Sequence, residues 1–263
     1  MSTNFLQPTK LFDIAERRFL ITGSGSGIGL GLAQGIGAAG GKIVLNGRDV
    51  HKLEVAENKL RKSGIHVETA AFDVSDPDTI ESNIKKIEAE IGPIDVLINN
   101  AGTNRRGRMA DISANDYQTV IQANIDGLFL TTRAVAPYMQ DRKAGKIINI
   151  CSALSKLGRK GAVAYSGSKA AAAMMTASMC DELAADNIQV NGIAPGYFLT
   201  EITQVIKDDP VHNEWLMKRT PAERWGQLED LVGAAIFLSS DASNFVNGHI
   251  LYVDGGLTAV MGG

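Results

Sequence analysis

The sequence predicts a doubly wound α/β domain, with one seven-stranded parallel sheet and helices on both faces. Three observations carry that expectation. Short β-branched runs alternate strictly with longer stretches of helical character. Several of the runs are nearly all apolar, as strands buried on both faces of a parallel sheet must be. The chain also holds 28 glycines in 263 residues without a collagen-like period, so they serve turns and close approaches within a packed domain.

In chain order, the strands fall at 19–22 (FLIT), 42–46 (KIVLN), 67–72 (VETAAF), 95–100 (DVLINN), 146–151 (KIINIC), 188–193 (IQVNGI) and 249–253 (HILYV). Helical patterns fill the gaps at about 27–39, 50–63, 76–91, 114–141, 162–185, 198–217 and 227–239. Asp76 followed by Pro77 is a helix start, an N-cap before a proline in the first turn. No low-complexity linker or solenoid repeat divides the chain, so residues 1–263 are expected to form one domain.

Composition narrows the function classes. Apolar residues make up 44% and charged residues 21%, which permits a packed core. A net charge of −3 argues against binding nucleic acid or an anionic membrane surface. Two cysteines, Cys151 and Cys180, are too few for a disulfide framework or a zinc cluster and suit a reducing cytoplasm. The four histidines are scattered without metal-ligand spacing, so no metal is expected. The N-terminal stretch has no apolar leader region, and the uncharged run at 170–180 is shorter than the ~20 residues a membrane span requires. A cytoplasmic location is expected.

In open α/β sheets, ligands bind beyond the carboxyl ends of the strands. The first strand ends in Thr22-Gly23-Ser24-Gly25-Ser26-Gly27-Ile28-Gly29 and opens directly into a helix. Glycines there permit a tight turn and let backbone N–H groups approach a phosphate at the helix N-terminus. No Lys-Ser/Thr follows, so it is not a Walker loop. Gly35, Gly37 and Gly40 spell the literal Gly-x-Gly-x-x-Gly, but at the end of a helix, where close packing and a C-cap explain them. The second strand ends in Asn46-Gly47-Arg48, with no acid before Asp49. An acid at this point would bind the ribose of NAD, whereas an Arg accommodates the 2′-phosphate of NADP. The charge favours NADP and leaves NAD open, because 23–29 holds no second cation.

Tyr165 and Lys169 lie four residues apart on a helix and so share a face. A phenol is a poor base at neutral pH, and a neighbouring ammonium favours its ionised form. Tyr165 can then exchange a proton with a substrate hydroxyl or carbonyl while hydride moves. Ser152, just past a strand end, can hydrogen-bond the same oxygen.

Thr22-Gly-x-x-x-Gly27-Ile-Gly29, Asn99-Asn100-Ala101-Gly102, Ser152, Tyr165-x-x-x-Lys169 and Pro195-Gly196 resemble, in order and spacing, the short-chain dehydrogenase/reductase family. The likeness runs from about residue 10 to Gly256 and implies a Rossmann-type fold. It implies that Tyr165 is the acid/base, that Lys169 holds the nicotinamide ribose, that Ser152 polarises the substrate and that Asn124 anchors a water in a proton relay. It adds Asp73, Val74, Asn100, Ala101, Gly102, Pro195, Gly196, Phe198 and Thr200 to the cofactor contacts. It further implies a homotetramer built on the helices at 114–141 and 162–185. Segments 191–198, 218–226 and 240–256 resemble the family's aldonate dehydrogenases, which makes a sugar acid the expected substrate and 198–226 the substrate loop.

A carboxylate substrate needs a cation. Arg105, Arg106 and Arg108 follow Gly102 near the site, and Lys156, Arg159 and Lys160 lie near the substrate entrance. A solvated basic loop is the competing reading. Other classes stay in view: a short-chain reductase of another carbonyl, such as a 3-oxoacyl group, and a non-catalytic NADP(H)-binding regulator on the same fold. Ser166 and Lys169 also form a Ser-x-x-Lys pair, but the companion motifs of serine-acylating enzymes are absent.

Overall fold

After Arg18, the three apolar residues of β1 (Arg18–Ile21) alternate sides: Phe19 and Ile21 face one layer of helices, Leu20 the other. The same alternation runs through β2 (Lys42–Gly47), β3 (Val67–Ala71), β4 (Val96–Asn99), β5 (Gly145–Ile150) and β6 (Ile188–Pro195), with β7 (Ile250–Val253) at the edge. All seven pair in parallel in the order β3-β2-β1-β4-β5-β6-β7. The chain reverses its direction of winding between β1 and β4, which opens a crevice at their carboxyl ends. This computed structural model describes residues 7–200 and 203–261.

Helices α1 (Gly27–Ala38) and α2 (Val50–Lys62) cover one face, joined by α9 (Glu229–Ser239). The other face takes α3 (Pro77–Lys86), α5 (Gly127–Arg142) and the end of α6 (Val163–Leu183). Both layers are filled by fully buried Ile, Leu and Val, each stabilising the fold by roughly 1.5–3 kcal/mol relative to an exposed side chain. Asp76 caps α3 as expected, accepting from the N–H groups of Asp78 and Thr79, with Pro77 in the first turn.

The helix expected at 76–91 ends in a π turn at Ile87–Ile91, and two further expected helices differ in detail. The pattern at 114–141 is α4 (Ala114–Ile121) joined to α5 through a π turn at Gln122–Asp126, so one continuous rod carries a local bulge. The helix expected at 198–217 is not continuous: it is α7 (Gln204–Lys207) followed by α8 (Pro210–Arg219). Pro210 holds Asp209 in an extended conformation, φ −84° and ψ 109°, and the Asp209 carboxylate caps α8 instead. Ahead of α7, Phe198 forms a bridge to Gly226 and Thr200 is tied to Thr203, while Glu201 and Ile202 lie outside the described residues. Among the described residues, no helix is long and apolar enough to cross a membrane.

Candidate active site

The loop from β1 into α1 is held from behind. The Thr22 hydroxyl oxygen accepts the N–H groups of Asn100 and Ala101, both at 3.0 Å, and the Asn100 amide donates to the carbonyls of Thr22 and Gly23. Gly23, at φ +61°, lies so close to this segment that a Cβ would sit 2.8 Å from the Ala101 Cα. At Gly29 a Cβ would meet the Asn100 amide nitrogen at 2.5 Å and the Gly23 carbonyl at 2.7 Å, so α1 begins in direct contact with the loop. The outer side is open. Gly27, at φ +58°, has nothing within 4 Å where a side chain would begin. Exposed Ser26 puts no side-chain cap on α1, which leaves the N–H groups of the first turn to an external anion. Those features fit the pyrophosphate of a dinucleotide, with Ile28 half-buried at the start of the helix.

Two residues expected to contact the cofactor instead face inward. Ser24 is fully buried and its hydroxyl donates to the Ile21 carbonyl at 2.7 Å. The Asn46 amide donates to the carbonyls of Ala70 and Phe72, both at 3.1 Å, clamping β2 to β3. Buried polar groups must find partners, and here the partners are backbone carbonyls of the scaffold. Val74 is likewise buried, packed where a Gly127 side chain would stand. Arg48 does project outward from the end of β2. Its Nη1 donates to Asp73 Oδ2 at 3.2 Å while the side chain remains 77% exposed. Burial alone would raise the Asp73 pKa, but hydrogen bonds from the Ser75 hydroxyl and N–H and from Arg48 hold it below the usual carboxylate range.

The π turn aims Asn124 at the site. Its Oδ1 accepts from the Thr103 N–H at 2.7 Å, and its Nδ2 donates to the Thr103 carbonyl and to Ser168 Oγ at 2.9 Å. Both amide N–H groups are therefore spent on protein, so Asn124 fixes the segment after β4 against α6. Gly102 sits between them: its Cβ position lies 2.9 Å from Asn124 Oδ1 and 3.7 Å from Lys169 Nζ.

Ser152 follows β5 and opens a 3-10 turn, Ala153–Ser155, through a capping box with Ser155. Ser155 Oγ also donates to the Lys169 carbonyl at 2.7 Å, tying the turn to α6. Buried Lys169 donates from Nζ to the Ile150 carbonyl at 2.6 Å and lies 5.9 Å from the Tyr165 ring centroid. Tyr165, Lys169, Ser152 and Asn124 are thus gathered at the carboxyl end of β5, next to the glycine loop's neighbour, Gly102. Cys151 is inert beside them: burial pushes its thiol up, opposed by Lys169.

At the end of β6, Pro195 and Gly196 pass so near Asp254 that a Gly196 Cβ would lie 2.8 Å from its Cα. Phe198 is buried against Gly226, and Thr200 bonds to the Thr203 hydroxyl at 2.8 Å. Arg105 leans toward Asp116, 3.7 Å away, and Arg106 is exposed. Sequence reasoning missed the buried polar row beneath the site. Asn99 donates to Asn149 Oδ1 and to Thr132 Oγ1, and Asn149 donates to Thr176 Oγ1, each at 2.9 Å. The available signal was Asn149 itself, a lone amide inside the apolar run KIINIC.

A parallel sheet with a glycine loop at its switch point and a Ser, Tyr and Lys group at the next strand ends defines a nicotinamide-dependent oxidoreductase. Residues 17–211 match the short chain dehydrogenase model, and the chain belongs to that family. It is 49% identical over 247 residues to the 5-keto-D-gluconate 5-reductase of Escherichia coli (strain K12), covering 94% of this chain and 97% of that one. It is 46% identical over 248 residues to the gluconate 5-dehydrogenase of Gluconobacter oxydans (strain 621H), again covering 94% and 97%. A solved gluconate 5-dehydrogenase from Burkholderia cenocepacia J2315, in complex with NADP and tartrate, superposes with a TM-score of 0.93 at 46% identity, over 96% of this chain and 99% of that one.

Proposed function

We propose that this chain is an NADP(H)-preferring oxidoreductase that interconverts a secondary alcohol and a ketone on a sugar acid, in the manner of a gluconate 5-dehydrogenase. The observation that carries it is the packing of Lys169 against the Ile150 carbonyl beneath the Tyr165 ring, beside Ser152 and the open glycine loop. The names of the relatives supply the substrate class. Gly23, Ser26, Gly27, Ile28 and Gly29 form the pyrophosphate cradle in this reading, and Arg48 meets the 2′-phosphate. Asp73, Asn100, Ala101, Gly102, Pro195, Gly196, Phe198 and Thr200 shape the rest of the groove, partly through their backbones.

A nicotinamide held in this groove would supply the hydride acceptor for the alcohol and the hydride donor for the ketone. Ser152 Oγ donates to the substrate oxygen and orients the carbinol. Tyr165 Oη takes the hydroxyl proton during oxidation and gives it back during reduction. The buried Lys169 ammonium stabilises the negative charge that develops on the phenol oxygen. Asn124 is a positioning residue: it locks Thr103 and Ser168, and through Ser168, which bonds the Tyr165 carbonyl at 2.8 Å, the first turn of α6.

Residues 1–263 act as one catalytic domain in this reading, with 198–226 closing over the substrate. Tyr117, Phe129 and Met174 stay exposed on α4, α5 and α6, apolar surface that suits a homotetramer, and sedimentation at micromolar concentration tests it by finding four chains or one. The functional test is a turnover screen of aldonates and keto-aldonates with NADP(H) and NAD(H). Turnover of an aldonate at a carbinol, faster with NADP(H), is expected. Turnover of 3-oxoacyl substrates with none of any aldonate overturns the reading.

A further inference from the structure

Between Ser152 and α6, the segment around 154–160 walls a cavity of about 620 Å³. Its other wall is Tyr197, from the end of β6, with Trp215 and Arg219 of α8. A second cavity of about 570 Å³, beside Arg108, shares Arg159 and Lys160 with the first. Among the described residues, no Asp or Glu lines either one.

Arg159 stands at the junction. Its guanidinium carbon lies 5.3 Å from the Tyr197 ring centroid and 5.8 Å from that of Trp215, and it donates to the Tyr197 hydroxyl. No carboxylate pairs with it among the described residues. Asp209, the residue that caps α8, is occupied: it accepts from His212 Nδ1 at 2.7 Å and from the Val211 and His212 N–H groups. Burial, and then the charge of Arg106, pull the Arg159 pKa down, so two cations converge on one partly desolvated place. Aromatic faces fix the plane of the guanidinium and spare it the entropy of ordering, while its remaining N–H groups stay available as a fork. Such a fork matches a carboxylate in two parallel hydrogen bonds.

We propose that Arg159 is the specificity residue that binds the substrate's carboxylate and so selects a sugar acid over the neutral polyol of the same length. Arg106 adds charge at the rim, and Tyr197 and Trp215 position the fork. The inference rests on the oxidoreductase reading of Ser152 and Tyr165, but its test does not depend on turnover. Calorimetric titration with D-gluconate and with glucitol is performed on the wild type, Arg159→Met, Arg159→Lys and Tyr197→Phe, each checked for a native thermal transition.

The expected result is gluconate binding weakened tenfold or more in Arg159→Met, with smaller losses in Arg159→Lys and Tyr197→Phe, and glucitol binding unchanged throughout. Three results overturn the inference: gluconate affinity unchanged in Arg159→Met, gluconate and glucitol weakened alike, or no gluconate binding by the wild type. Arg159-dependent gluconate binding without turnover of any aldonate overturns the oxidoreductase reading instead and leaves the carboxylate site standing. Turnover with a KM indifferent to Arg159 does the reverse.

Discussion

Replacing Arg48 with Ala tests the cofactor preference, and the structure sets its size. Arg48 is held by one contact, 3.2 Å to Asp73, on a side chain 77% exposed. An exposed pair of that kind stabilises by about 0–1 kcal/mol. A charged hydrogen bond to a phosphate contributes about 1.5–3 kcal/mol. Turning the guanidinium from Asp73 to a 2′-phosphate therefore gains the difference, about 1–2 kcal/mol, or roughly five- to thirtyfold in affinity. The assay is kcat/KM with NADP⁺ and NAD⁺ for the wild type and Arg48→Ala. The expected outcome is a loss of that factor with NADP⁺ and little change with NAD⁺. Because the contact is exposed, the wild-type preference should also shrink as salt is raised. Equal losses with both cofactors would mean that Arg48 stacks on the adenine ring they share. No loss with either would mean that the guanidinium never leaves Asp73, and both outcomes refute the assignment.

Tyr165→Phe should lower kcat by about a hundredfold or more while NADPH affinity, read by fluorescence titration, stays within a few-fold, because the lost group moves a proton and anchors no phosphate. Gly29→Ala should weaken NADPH binding more than about tenfold, since its Cβ would stand 2.7 Å from the Gly23 carbonyl and 2.8 Å from the Ser24 Cα, backbone that cannot yield without moving the loop. Unchanged affinity would remove the loop from the cofactor site. Lys146 is buried, and burial, with repulsion from Arg17 and against attraction from Asp241, lowers its pKa from 10.5 to about 8. The unfolded chain then binds more protons between those values, so stability rises with pH from about 8 to 10.5 and is flat for this group outside that window. Urea unfolding across the window should show a rise of at most about 3 kcal/mol that is missing in Lys146→Met.

The sheet and its winding were legible in the sequence because burial on both faces leaves an unmistakable mark: Phe19, Leu20 and Ile21 follow one another with no polar residue between them, and all three are fully buried. Helix positions were legible wherever a cap announced them, as at Asp76. The helix expected at 198–217 failed on Pro210, whose effect on Asp209 is local and was there to be read. The π turn at Gln122–Asp126 was not, since nothing in its residues opposes an α-helix; the bulge is set by what Asn124 finds across the crevice, the Thr103 backbone and Ser168.

The same distinction separates the site residues. Tyr165 and Lys169 share one helix, so their spacing alone put them together. Ser24 and Asn46 sit in the expected loop and strand end, yet their side chains turn inward, because a strand-end polar group takes whichever partner is nearer, and here those are the Ile21, Ala70 and Phe72 carbonyls. Arg159, Tyr197 and Trp215 come from three separated segments, and only the return of the chain past β6 into α8 brings two aromatic faces to one guanidinium. Chemistry that depends on one element can be read along the chain. Specificity that depends on the convergence of several, in a loop region where Pro210 has already broken the simplest pattern, requires the fold.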